Sequence, residues 1–273
     1  MKIMADGLLF LRHGWKNIWK NNIIWLFSFL YFLGQFPYFF QVKKEMGLFL
    51  SFILLAVNIL FLILFFVSDI GIPYLAYCFL IGKSATIQET LFAVRKFFGR
   101  VLGCSCLGLL ALSPLLFWIL AVSINSSTHT LQFSNKTILP FLLISIFAAL
   151  PQFTMVAFFE NDWGILKSLE KAWNLFTSHF GVLAILGLIL TIIIKLYSAA
   201  SGILTVLIQS GFDIPSISKL NLFNPSISLK NSALFLLING IGLTIFTPLS
   251  ASIFISAYLK YSDVKLPFLL RVR

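Results

Sequence analysis

Charge is scarce in this chain: 11% of its 273 residues are Asp, Glu, Lys or Arg, and only nine of those are carboxylates. A water-soluble domain of this size could not hide so much apolar surface in one core, so lipid is the expected solvent for most of the chain. Cysteine and histidine are scarce too, at three residues each. Cys104 and Cys106 stand two apart, a spacing that does not share a helix face, and with Cys78 they give neither a disulfide framework nor a zinc site. The chain has no His-Glu-x-x-His, no Gly-rich phosphate loop with Lys and no dinucleotide fingerprint, so no cofactor is expected. Its apolar stretches also lack the alternation of a membrane barrel strand.

What the chain has in abundance is hydrophobic residues, 59%, with a mean hydropathy of +0.98. Charge-poor windows run over 22–40, 47–68, 102–124, 138–159, 180–208 and 232–259, with Lys195 the one formal charge inside them. Each is close to or longer than the roughly 20 apolar residues that cross a bilayer as a helix. The prediction is an all-α membrane protein with six transmembrane helices. The first window follows a basic stretch and lacks a small-x-small cleavage site, so it reads as a retained span.

Lys and Arg set the orientation. One side collects Lys2, Arg12, Lys16, Lys20, Lys83, Arg95, Lys96, Arg100, Lys167, Lys171, Lys260, Lys265, Arg271 and Arg273; the other has Lys43, Lys44, Lys136, Lys219 and Lys230. Both termini are therefore expected in the cytoplasm, and an integral place in a bacterial inner membrane fits. The net charge of +11 needs no nucleic acid. It sits mainly where anionic headgroups attract basic residues, so membrane lipids are the expected partners, with a homo-oligomer possible.

Three segments share one register 79 residues apart: Leu8, Leu11, Trp15 and Ile18; Ile87, Thr90, Val94 and Phe97; Leu166, Leu169, Trp173 and Phe176. Spacings of three and four place each set on one helix face, with Gly14, Ala93 and Ala172 beside it. Asp6, Ser84 or Thr86 (the latter with Glu89 as a capping box), and Asp162 are the candidate helix starts. The architecture expected is three parallel repeats of an amphipathic elbow helix and a transmembrane hairpin, about 6–82, 83–160 and 161–260, in a single domain with a basic tail over 260–273. Outer loops fall near 41–46, 125–137 and 209–231, and Pro73 should kink the second span. The elbows either turn the chain back into the membrane or grip anionic lipid.

Glu160, Asn161, Asp162, Trp163 and Gly164, followed by Leu169, Ala172, Trp173, Leu175 and the apolar run from Phe180, resemble a passage of the glycerophosphodiester phosphodiesterase membrane domain and its stand-alone relatives. Residues 82–110 and 15–33 resemble the corresponding earlier passages. The resemblance implies a six-span architecture and no established activity, and it carries over no catalytic residue.

Asp69 and Lys195 are candidates for an intramembrane ion pair. They lie 13 and 15 residues from the expected inner helix ends near Gly82 and Phe180, roughly 20 and 22 Å deep at 1.5 Å per residue. A lone charge there is costly, so each gains from facing the other. Expression lost by Asp69→Lys or Lys195→Asp alone and not recovered by the double exchange would rule the pair out. The triplet Glu160, Asn161, Asp162 reads as a cap for the third elbow. Gly103, Ser105 and Gly108 break the spacing of a serine-protease motif, and His13, His129 and His179 all lie outside the predicted spans. Two sequons, Asn125 and Asn135, fall in the second outer loop. The function expected is non-enzymatic: a scaffold, a lipid-contacting protein or a support for an envelope process. A small transporter or channel with a cavity between the repeats is the alternative, and an intramembrane enzyme the third.

Overall fold

The structure, a computed structural model, describes residues 2–35, 48–123, 145–209 and 233–262. The expected outer loops, both sequons, His129 and the basic tail beyond 262 lie outside the described residues. Within them there are eight helices and no strand: α1 Lys2–Lys20, α2 Asn22–Gly34, α3 Leu48–Leu80, α4 Ile87–Ser123, α5 Ala149–Asn161, α6 Ile165–Ser178, α7 Phe180–Gln209 and α8 Ala233–Tyr261.

Three helices are long and apolar enough to cross a membrane, over Phe52–Leu80, Phe180–Thr205 and Leu237–Tyr261. The first half of α3 leaves Phe52, Ile53, Leu55, Ile59, Leu60, Leu62 and Ile63 exposed over about half of its circumference. Such bare apolar surface belongs in hydrocarbon, which makes this a membrane protein. α2 is apolar but spans only 13 residues.

The helices divide into two compact units. The first holds residues 1–101, 150–179 and 243–273, and the second 102–149 and 180–242.

At the centre of the first unit lie the last turns of three helices. Residues 251–259 of α8 are buried without interruption, as are 153–158 of α5, and most of 70–80 of α3 is buried as well. A helix buried on all sides must be apolar or small around its whole circumference, and Ala251, Ile253, Phe254, Ile255, Ala257 and Leu259 satisfy that. Ser252 and Ser256 are the polar exceptions.

The elbow segments flank these ends. α1 runs antiparallel to α8: Asp6 meets Lys260, His13 meets Ser256 and Asn17 meets Ser252, in reversed order. The start of α4 turns back on α3 through residues 81–86 and sets Phe98 against Phe66, rings 5.6 Å apart. α6 follows α5 after a three-residue turn and brings Lys171 back to Glu160 at 2.8 Å. α2 forms a hairpin with α3, in which Phe27 packs on Gly71 and Gly34 lies against Phe65.

Helix starts follow the sequence reading at one place of three. Thr86 and Glu89 form a reciprocal capping box: the Thr86 N–H donates to Glu89 Oε2 at 2.7 Å, and the Glu89 N–H donates to Thr86 Oγ1 at 3.2 Å. These bonds hold the Glu89 carboxyl below the usual carboxylate range. Asp6 does not cap α1, which is already helical from Lys2, and its carboxylate binds Lys260 instead. Asp162 does not cap α6 either; Gly164 holds the cap position without a side-chain bond, and Asp162 sits at φ 54.

The second elbow is not a separate helix. α1 ends before Asn21, whose Nδ2 donates to the Leu75 carbonyl, and α6 ends before His179, whose Nδ1 meets the Leu175 carbonyl. Asn and His are both poorer helix formers than Arg, and the His179 ring also takes a carbonyl of its own helix. The equivalent position in α4 is Arg100, a good helix former, and α4 runs on for 37 residues. α3 likewise continues unbroken through Pro73.

In the second unit, Tyr197 of α7 packs on Gly242 of α8 and donates its hydroxyl proton to the Ile238 carbonyl at 2.5 Å. Gly187 of α7 lies against the Ser145 carbonyl.

Candidate functional site

The polar residues of the first unit gather around its central helix ends. α6 offers one polar face, with Lys167, Lys171, Asn174 and Ser178 at successive turns. Trp163 stands at the head of this face and Tyr261 at its foot, where the His179 ring stacks on Tyr261 with centroids 3.8 Å apart. Between them is a groove of about 460 Å³.

Two ammonium groups share the Trp163 indole. Lys167 Nζ lies 4.8 Å and Lys171 Nζ 4.7 Å from the ring centroid, within cation–π range. Lys171 is held on a second side by Glu160, which also accepts the Tyr258 hydroxyl at 2.9 Å. With the Tyr258 ring 5.5 Å away as well, the ammonium is held from three directions. Lys167 makes no ion pair among the described residues.

Asp162 lies nearby and takes Lys96 at 3.0 Å and Arg100 at 2.5 Å, while Arg100 also donates to the Trp163 carbonyl. Hydrogen bonds from Lys96 and Arg100 hold this carboxyl well below the usual range. The acidic triplet is therefore a binder of cations on neighbouring segments rather than a cap.

A second polar seam joins α1 to α8. Asn17 donates to Ser252 at 2.6 Å and His13 meets Ser256 at 3.1 Å, with both pairs buried. Burial, then the charges of Lys16, Arg12 and Lys260, lowers the His13 pKa from its ordinary 6.5. Sequence reasoning left His13 and Asn17 out of the core. The signal that would have found them is their own spacing of four, matched by Ser252 and Ser256 in the last apolar window.

The shared slot of the elbows is filled unequally. Trp15 is 52% exposed and Trp173 51%, whereas Val94 is 6% exposed. The buried face lies one strip over: Gly14, Ala93 and Ala172 are buried, and so are Ile18, Phe97 and Phe176. On α1 the outward strip is Leu8, Trp15 and Trp19, with Arg12 and Lys16 beside it. On α6 it is Leu166 and Trp173.

Asp69 lies on α3 in the first unit and Lys195 is exposed on α7 in the second. Ser105 is exposed on α4. The described residues contain no cluster of His, Cys, Asp or Glu fit to hold a metal ion, and Cys78, Cys104 and Cys106 are free thiols. Comparison of the chain with protein-family models, curated proteins and solved structures finds no match.

Proposed function

We propose that this chain is a non-enzymatic, lipid-contacting scaffold of a bacterial inner membrane, with six spans in three parallel repeats and both termini cytoplasmic. This is the six-span plan of the membrane domain that the sequence resembles. The observation that carries the lipid reading is the outer strip of α1. Leu8, Trp15 and Trp19 are bare, and Arg12 and Lys16 flank them. Indole rings and long basic side chains side by side suit the boundary between acyl chains and headgroups.

Two further features support the reading. Positions 14, 93 and 172 are all small and buried, and each elbow segment lies along the end of the long helix before it, with α1 taking the last helix of the chain. These two features support the reading of three related modules. The carboxylates of Asp6, Glu160 and Asp162 are each committed to a Lys or Arg, an arrangement suited to holding segments together rather than to acid–base chemistry.

Gentle extraction followed by native mass spectrometry tests the reading. Phosphatidylglycerol or cardiolipin should be enriched on the protein above their share of the membrane, and Trp15→Ala with Arg12→Gln should reduce the enrichment. Retained lipid of bulk composition would overturn it.

A further inference from the structure

We propose that the groove along α6, between Trp163 and Tyr261, is a binding site for the phosphate of an anionic lipid headgroup, held by Lys167, Lys171 and Asn174. The inference rests on the lipid-contacting reading above and adds a specific site and ligand chemistry to it.

The groove offers a ligand two ammonium groups and an amide. An ammonium has three N–H donors and no acceptor. Glu160 takes one donor of Lys171, whose ammonium also lies between the Trp163 and Tyr258 rings, so Lys171 contributes chiefly its fixed positive charge. Lys167 keeps all its donors, since no carboxylate among the described residues pairs with it. Asn174, one turn on, carries an amide with two more. A phosphate has acceptors only on its unesterified oxygens, so it matches this set.

Glu170 also lines the groove, so the selection against the opposite charge lies at its Trp163 end. Aromatic faces bind a quaternary ammonium when they are vacant, but the Trp163 face already holds two lysine ammoniums below 5 Å. A choline headgroup would meet repulsion there, and a headgroup whose phosphate is its only charge would not.

The groove is also ready-made. The Lys171 side chain is 26% exposed and anchored to Glu160, itself 19% exposed. The far end is fixed by the His179–Tyr261 stack and by the His179 Nδ1 contact with the Leu175 carbonyl. A site held in place in this way loses little entropy on binding. Its volume of about 460 Å³ accommodates a phosphate with a small polar substituent.

The full-length protein, stripped of lipid in a mild detergent, is titrated with short-chain phosphatidylglycerol, short-chain phosphatidylcholine, glycerol 3-phosphate and inorganic phosphate, and bound ligand is counted by native mass spectrometry. Phosphatidylglycerol should bind and phosphatidylcholine should not. Lys167→Gln should weaken phosphatidylglycerol roughly tenfold, the size of one charge-assisted hydrogen bond. Lys171→Gln risks the fold because it strips Glu160 of its cation; Lys167 carries no such burden, so its variant decides. Lys83→Gln, exposed in the turn before α4, is the control that should change nothing. Unchanged phosphatidylglycerol binding in Lys167→Gln, with loss in Trp15→Ala, would overturn this site while leaving the lipid-contacting reading intact. Equal binding of both lipids by the unaltered protein would overturn both. Soluble phosphates that bind as tightly as phosphatidylglycerol, and are lost with Lys167→Gln, would overturn the lipid source.

Discussion

A β-carbon on Gly14 would stand 2.7 Å from Cγ1 of Ile253 and 3.3 Å from the Leu249 carbonyl oxygen, so α1 meets α8 at the distance only a glycine allows. Close approach of this kind is how helices pack in membranes, where small residues admit a neighbouring backbone. Gly14→Ala should cost about 1–3 kcal/mol, because the γ-carbon of a β-branched Ile253 has little room to move, and Gly14→Leu should cost more. Gly34→Ala should cost more than Gly14→Ala, since its β-carbon would fall 2.7 Å from the Phe65 Cα and amide nitrogen, which cannot rotate aside. Gly99→Ala meets nothing within 4 Å and should stabilise α4 by roughly 0.5–1 kcal/mol. Thermal unfolding in detergent, followed by tryptophan fluorescence, ranks the three.

The Asn17–Ser252 bond is buried at both ends. Asn17→Ala should destabilise by about 1–3 kcal/mol, as a buried hydroxyl loses its partner. Ser252→Ala should cost less in the Asn17→Ala background than alone, so the double variant falls short of the sum. Full additivity in chemical denaturation would mean the two side chains do not cooperate.

His13 gives the fold a pH dependence of definite sign. Its folded pKa lies below 6.5, and the groups around it are the cations Lys16, Arg12 and Lys260, the Asp6 carboxylate that pairs with Lys260, and the Ser256 hydroxyl. The unfolded chain therefore binds the proton first, and stability falls as pH drops from about 6.5 toward the folded value. Above pH 7 the contribution is complete and flat. His13→Gln should lower stability at neutral pH and flatten this decline, as read from melting temperatures between pH 5 and 8.

Asp162 joins a charge to an unusual backbone conformation. Asp162→Asn keeps a residue that tolerates φ 54 and should lose only the pairing with Lys96 and Arg100. Asp162→Val should melt lower still, because a β-branched residue is strained there. Added salt should narrow the gap between the unaltered protein and Asp162→Asn, since the carboxylate is exposed. Its depressed pKa places the loss of this pairing on acidification below about pH 4.

The helical, lipid-facing character of the chain was legible because it depends on composition summed over long windows. The Thr86–Glu89 capping box was legible because both partners are three residues apart. The buried face of the elbows was displaced by one strip, for a physical reason: an amphipathic helix has an apolar arc wider than its packed face, and Trp15 and Trp173 lie on the part left bare. His13 and Asn17 gave no signal as buried residues because their partners stand 243 and 235 residues away. Asp162 looked like a cap because local charge favours helix starts, yet Lys96 and Arg100, from another segment, outcompeted the local amides. Long-range pairing of polar groups leaves no periodic trace in a single sequence, so the groove on α6 was equally hidden.

The seam between α1 and α8 has a consequence for biosynthesis. Helix α1 leaves the ribosome well before its buried partners, which lie 235 and 243 residues further along the chain. At 5–20 residues per second the interval is on the order of ten to fifty seconds. Throughout that delay Gly14, His13 and Asn17 lack their companions, and α1 must rest elsewhere, with the nascent bilayer surface the available berth for its tryptophans. The module therefore closes only once α8 has been made, and truncation of α8 should leave α1 undocked even though every earlier span has been inserted.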